Sequence, residues 1–171
     1  MTFDTALAFA LRWEGGYVNH PNDPGGATNK GVTQRTYDAW RVRRGQTKRD
    51  VRSITDAEVH AIYEVDYWLA AHCDRLAEPL DLVQFDTAVN MGVGRAVRLL
   101  QGAVGVVVDG DFGPATLAAA QAADPMATAA AYCDAREQHY RRLATQNPKL
   151  AVFLRGWLNR LHDVRAQVAK A

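Results

Sequence analysis

The chain has 171 residues, 48% of them hydrophobic and 23% charged, which is enough for one compact domain and ordinary for a soluble globular protein. A formal net charge of +1 excludes a bulk pull toward nucleic acid, and no apolar run approaches the length of a membrane span. Neither a nucleic-acid partner nor stable membrane insertion is therefore expected.

The predicted elements are nearly all helical. Thr2 caps a first helix in which Phe3, Leu7, Ala10, Leu11 and Glu14 recur at helical spacing, and Gly15 and Gly16 stop it. Residues 15–33 hold five glycines and two prolines and read as a loop or a short irregular hairpin. A second helix spans about 34 to 44 and ends at Gly45. Thr55 and Glu58 have capping-box spacing and open a third helix over about 56 to 70. A fourth, about 79 to 91, ends at Gly92, and a fifth, about 95 to 104, ends at Gly105. The segment VVVDGDFGP is a turn-rich connector, after which Pro114 starts a short helix. Asp124 followed by Pro125 is a cap with proline at the first helical position, and it opens a long helix. Asn147-Pro148 breaks that helix, and a last one fills 149 to 169. The fold class expected is all-α. Composition changes near Gly92, so residues 1–92 are read as one region and 93–171 as another, packed on the first as one compact unit.

Residues 35–52 carry seven basic side chains (Arg35, Arg41, Arg43, Arg44, Lys48, Arg49, Arg52) against Asp38 and Asp50. Such a run either attracts an anionic polymer or is a solvated surface. Cys73 and Cys133, with no CxxC, suit free thiols in a reducing compartment. The N-terminus shows no secretion signal: it lacks a basic start, and Asp4 and Arg12 interrupt its apolar stretch.

Glu14 is the residue whose position is hardest to explain as surface. On the helical spacing it projects from the apolar stripe of Leu7, Ala10 and Leu11, where a carboxylate is at least partly desolvated. Desolvation favours the neutral form, which is what a glycosidase general acid needs. The alternative is a helix-end glutamate turned to solvent or to an arginine. Asp23 follows in the loop. It either flanks a bound sugar, orienting water or stabilising positive charge, or serves the Asn-Asp-Pro-Gly-Gly turn. Thr28 and Thr33 offer hydroxyls to water or sugar, although Thr33 also stands where it would cap the second helix.

The run RWEGGYVNHPNDPGGATNKGVT resembles the signature of the glycoside hydrolase 108 family of N-acetylmuramidases, lysozymes of bacteria and phages, some described as secretion activators. The likeness continues through Tyr67-Trp68, FDTAVNMG (Phe85 to Gly92) and GWLNR (Gly156 to Arg160), nearly the whole chain. It implies a lysozyme-like helical fold and hydrolysis of the β-1,4 bond from N-acetylmuramic acid to N-acetylglucosamine, with Glu14 as the acid. The order glutamate, aspartate, threonine also looks like that of phage lysozymes, whose threonine helps hold the attacking water; Thr28 lies one residue nearer the aspartate than in that pattern. LLQGAVGVVVDGDFGPATLAAA looks like peptidoglycan-binding repeats, although its glycines and proline equally suit a plain turn between helices.

Asp86 and Asn90 are four apart on the fourth helix beside Leu82, Phe85 and Val89, a face suited to a sugar groove. The match to FDTAVNMG points Asn90 toward substrate, where its amide both donates and accepts. Tyr17, Trp68 and Trp157 are candidates for contact with sugar faces, while Trp13, Trp40 and Tyr63 are expected in the core. The five histidines form no HExxH, so neither metal nor cofactor is expected, and no GxSxG or phosphate loop occurs. The reading is an endolysin-type, bacteriolytic muramidase that acts as a monomer on peptidoglycan glycan strands. It would accumulate in the host cytoplasm and reach the wall with the help of a holin. A lytic transglycosylase, a non-catalytic wall-binding or secretion-regulating protein, and a bacterial autolysin are the alternatives.

Overall fold

The computed structural model describes residues 1–19 and 26–171. Among them are eight α-helices and one two-stranded sheet, so the chain is mainly helical as expected. It divides into two compact units, Phe3–Asp66 and Met1–Thr2 with Tyr67–Ala171. No helix of the described residues is long and apolar enough to cross a membrane.

In the first unit, α1 (Phe3–Leu11) buries Ala6, Leu7, Phe9 and Ala10. The helix ends at Leu11, before Glu14, which corrects the expectation that Gly15 and Gly16 stop it. The amides of Arg12 and Trp13 reach back only three residues, to the carbonyls of Phe9 (3.3 Å) and Ala10 (3.0 Å), and this tighter turn closes the helix early. The expected hairpin is present. β1 (Thr28–Asn29) and β2 (Val32–Thr33) run antiparallel, with Thr28 opposite Thr33 and Asn29 opposite Val32. Its two turn residues, Lys30 (φ 51°) and Gly31 (φ 76°), both have positive φ, the conformation of a tight two-residue hairpin. Val18 lies beside Thr28, and the pair exchange two backbone hydrogen bonds of 2.8 Å.

Thr33 caps α2 (Gln34–Arg43), its hydroxyl accepting from the Thr36 amide. α3 (Asp56–Tyr63) starts at the capping box of Thr55 and Glu58 and continues as a π-helical stretch, Glu64–Leu69. Much of the basic run between them is spent internally. Arg41 and Arg49 both pair with Glu58, which also accepts from the buried Tyr37 hydroxyl at 2.9 Å. Arg43 pairs with Asp66 at 2.8 Å, and Arg44 lies over the Trp40 ring at 4.8 Å.

In the second unit, α4 (Leu80–Met91) packs against α5 (Val93–Val104), α7 (Pro125–Gln146) and α8 (Leu154–Val168). Every residue from Leu80 to Ala88 is buried, the pattern of a helix enclosed on all sides. Asp86 therefore does not line a groove, as the spacing with Asn90 suggested. It is fully buried between two arginines, with Arg136 at 2.7 Å and Arg160 at 2.9 Å. The connector leads into α6 (Pro114–Ala122), and Asp124 caps α7 by accepting from the Ala127 amide at 2.7 Å. Asn147-Pro148 breaks α7 as expected; the 3-10 helix Pro148–Phe153 follows, and α8 begins at Leu154. Cys73 and Cys133 are both free and buried, and burial pushes the Cys133 thiol up to about 11.

Candidate functional site

Glu14 sits in the bend after α1, half-buried. What defines its surroundings is the hairpin turn. A methyl group on Gly31 would stand 2.8 Å from Glu14 Oε2, 3.0 Å from Glu14 Cγ and 2.2 Å from the Tyr63 hydroxyl. Glycine is thus required here twice over, by its positive φ and by the close approach of the Glu14 and Tyr63 side chains. Tyr63, buried on α3, donates to the Lys30 carbonyl at 2.9 Å and holds the turn from below. Lys30 is ion-paired with Asp56. Asn29 extends the anchorage, donating to the carbonyls of Val51 (3.2 Å) and Arg52 (3.3 Å). Gln34 bridges further, accepting from the Val51 amide at 2.8 Å and donating to the Arg49 carbonyl at 2.8 Å. A carboxyl group is thereby set against a rigid backbone turn, the kind of support a positioned acid requires.

The other candidates of this unit differ in how committed they are. Thr33 spends its hydroxyl on the α2 cap and on the Thr36 hydroxyl, 2.9 Å away. The Thr28 hydroxyl is half-buried and has no hydrogen-bond partner among the described residues. Tyr17 is covered on one face by the Arg52 guanidinium, 4.4 Å from the ring centroid, and its hydroxyl accepts from Arg52 at 3.1 Å. Asp23 lies outside the described residues.

In the second unit, Asn90 and Trp157 come together. They line one cleft of about 250 Å³ with Arg95, His139, Tyr140 and Leu143. Trp157 stacks with Tyr140 (5.2 Å between ring centroids) and with Phe153 (6.1 Å). Of the aromatic residues expected in the core, Trp40 and Tyr63 are buried and Trp13 is half-buried; Trp68, a candidate for sugar contact, is instead buried against Phe85. Among the described residues no group of three His, Cys, Asp or Glu side chains has the arrangement of a metal site.

The sequence reading passed over Gly31 as a close neighbour of Glu14 and Tyr63 as more than core. Gly31 left a local signal, since Asn-Lys-Gly-Val is a two-residue turn between short strands. Tyr63 left none: nothing around it in sequence tells where a helix's inner face will meet a loop.

The helical architecture with an acid braced on a hairpin defines a class that the comparisons make specific. Residues 7–92 match glycosyl hydrolase 108, and residues 95–162 match a predicted peptidoglycan domain. The structure of SagA from Brucella abortus is 35% identical, with a TM-score of 0.82, covering 98% of this chain and 94% of that one. No curated protein sequence matches. The chain belongs to the glycosyl hydrolase 108 family, and it is a glycoside hydrolase whose partner is peptidoglycan.

Proposed function

We propose that the protein is an N-acetylmuramidase: it hydrolyses the β-1,4 bond between N-acetylmuramic acid and N-acetylglucosamine, with Glu14 as the general acid. The observation that carries this is the Glu14 carboxyl set against the Gly31 turn and Tyr63, within the part of the chain that matches the hydrolase family. The leaving sugar oxygen needs a proton as the bond breaks, and a fixed, half-buried carboxylic acid supplies it. Water is then prepared by Asp23 or by Thr28, whose hydroxyl is uncommitted; the capping duty of Thr33 makes it the weaker choice. Tyr17 offers its ring to the sugar on the side that Arg52 leaves open.

The test is digestion of purified peptidoglycan with mass spectrometry of the fragments. Clearing with reducing muramyl ends supports hydrolysis. Anhydro-muramyl ends identify a transglycosylase, and binding without clearing identifies a non-catalytic wall protein.

The same proposal includes bacteriolytic, monomeric action as a phage endolysin, released from the host cytoplasm through a holin. The two free, buried thiols support a reducing site of accumulation. Lysis of expressing cells only on co-expression of a holin is the expected result, and lysis without one would reject this route.

Gly31→Ala separates site geometry from simple stability. Both Gly31 (φ 76°) and Gly45 (φ 70°) have positive φ, but an added methyl meets open space at Gly45. Each substitution is expected to cost about 1–2 kcal/mol from the backbone conformation, and Gly31→Ala about 1–3 kcal/mol more from crowding Tyr63 and Glu14, read by thermal unfolding. Only Gly31→Ala is expected to lose wall clearing as well, because its methyl displaces Glu14 and Tyr63. Equal clearing by the two variants would show that the turn does not position the acid.

A further inference from the structure

The cleft in the second unit is a set of donors with their directions fixed from inside. The chain of bonds begins at buried Asp86, which holds Arg136 at 2.7 Å. Arg136 can only donate, and its Nε donates to the Tyr140 hydroxyl oxygen at 2.8 Å. Tyr140 must therefore send its own hydrogen elsewhere, and it donates to Asn90 Oδ1 at 2.6 Å. This sets the Asn90 amide with its oxygen used internally and its Nδ2 donor left for the cleft. Arg95, which also lines the cleft, is exposed, and its guanidinium makes no ion pair among the described residues. His139 is half-buried. Burial, then Arg95 and Arg142, lower its pKa, so near neutral pH the ring is uncharged and has one N–H to donate.

Charge follows the same sense. The lining holds Arg95 and no carboxylate. Arg142 adds a second positive charge near His139. Met91, Leu143 and Trp157 supply apolar walls. Donors converging between apolar walls in a positive field suit an anionic acceptor on a partly apolar body.

We propose that this cleft binds a carboxylate of the wall polymer, with Asn90 Nδ2, Arg95 and His139 as its donors and Trp157 as the wall beside it. The inference rests on peptidoglycan being the partner, and it adds to the proposed function a site that reads the acidic part of the polymer. Two carboxylates share this chemistry: those of intact peptide stems, and the lactyl carboxylate freed when stems are removed.

The experiment is calorimetric titration of the full chain carrying Glu14→Gln, with and without Arg95→Glu or Asn90→Asp. The probes are soluble glycan strands with stems, strands stripped of stems, and the neutral N-acetylglucosamine hexamer. At least one carboxylate-bearing probe is expected to bind about tenfold more tightly than the hexamer, the order of one charge-assisted hydrogen bond. Arg95→Glu and Asn90→Asp are expected to remove that advantage, and Arg95→Glu to leave hexamer binding unchanged. The probe that responds to them names the source of the carboxylate. Equal binding of all three probes, or no response to either substitution, would overturn the proposal. Each probe is recovered and its length checked, so turnover by the Glu14→Gln protein would count against the catalytic assignment and be seen separately from any failure of carboxylate recognition.

Discussion

Glu14→Gln is expected to reduce clearing of purified peptidoglycan by about 10²–10⁴-fold, the range that a positioned general acid contributes. Glutamine keeps the shape of the side chain and its place beside Gly31 and Tyr63, but it has no acidic proton for the leaving oxygen. At the turn the carboxyl lies beside the Gly31 backbone and the Tyr63 phenol, and the amide fits the same space. Unfolding temperature is therefore expected to hold while activity falls. Circular dichroism beside a turbidity assay reads both. Near-normal clearing by the variant would remove Glu14 from the mechanism, and a matching loss of structure would make it a folding residue instead.

The largest effect on stability is expected at Asp86. Asp86→Asn leaves Arg136 and Arg160 facing a neutral amide in an environment without water access, and breaking a buried ion pair in this way costs about 3–5 kcal/mol. For a chain of this size the second unit's unfolding midpoint should drop on the order of 10 °C. Burial alone pushes the Asp86 carboxyl up, but the attraction of Arg136 and Arg160 outweighs it and holds the pKa below the ordinary aspartate value. The unfolded chain therefore takes up this proton at a higher pH than the folded chain does. The contribution is whole above the unfolded aspartate value and is lost progressively as pH falls through the lowered folded value. Unfolding followed from neutral to acid pH should show wild type losing stability across that window, and Asp86→Asn should lose less across it because it starts without the charge. A variant within about 1 kcal/mol of wild type at neutral pH would contradict the ion cluster's role, since ordinary surface substitutions stay within about half that range.

Asp86 also links stability to the cleft. Removing its charge frees Arg136, whose donation to Tyr140 sets the direction of the Asn90 amide. A partly folded Asp86→Asn protein should therefore lose carboxylate recognition along with stability, whereas Arg95→Glu touches recognition alone.

Where helices begin was legible along the sequence. Thr33, the Thr55 and Glu58 pair, and Asp124 with Pro125 each open a helix as expected, because a cap is made within the first turn and needs no distant partner. The same locality made the hairpin visible, as Gly31 supplies the positive φ its turn demands. The family was legible too, since its signature residues are read as a string. The end of α1 was not, because helical periodicity continues in the sequence through residues whose amides bond three back instead of four.

The tertiary structure alone decided what each polar side chain meets. Asp86 looked like half of a groove with Asn90, and on an isolated helix it would be. Its ion partner Arg160 lies 74 residues away in sequence, and only the return of α7 and α8 onto α4 converts an apparent surface acid into a buried ion cluster. Glu14 changed in the same way. Its expected place on a helical stripe gave way to a bend held against Gly31 and Tyr63. Caps and turns are short-range and readable residue by residue. Burial and charge pairing depend on which elements come back to cover a side chain, and that is settled by packing.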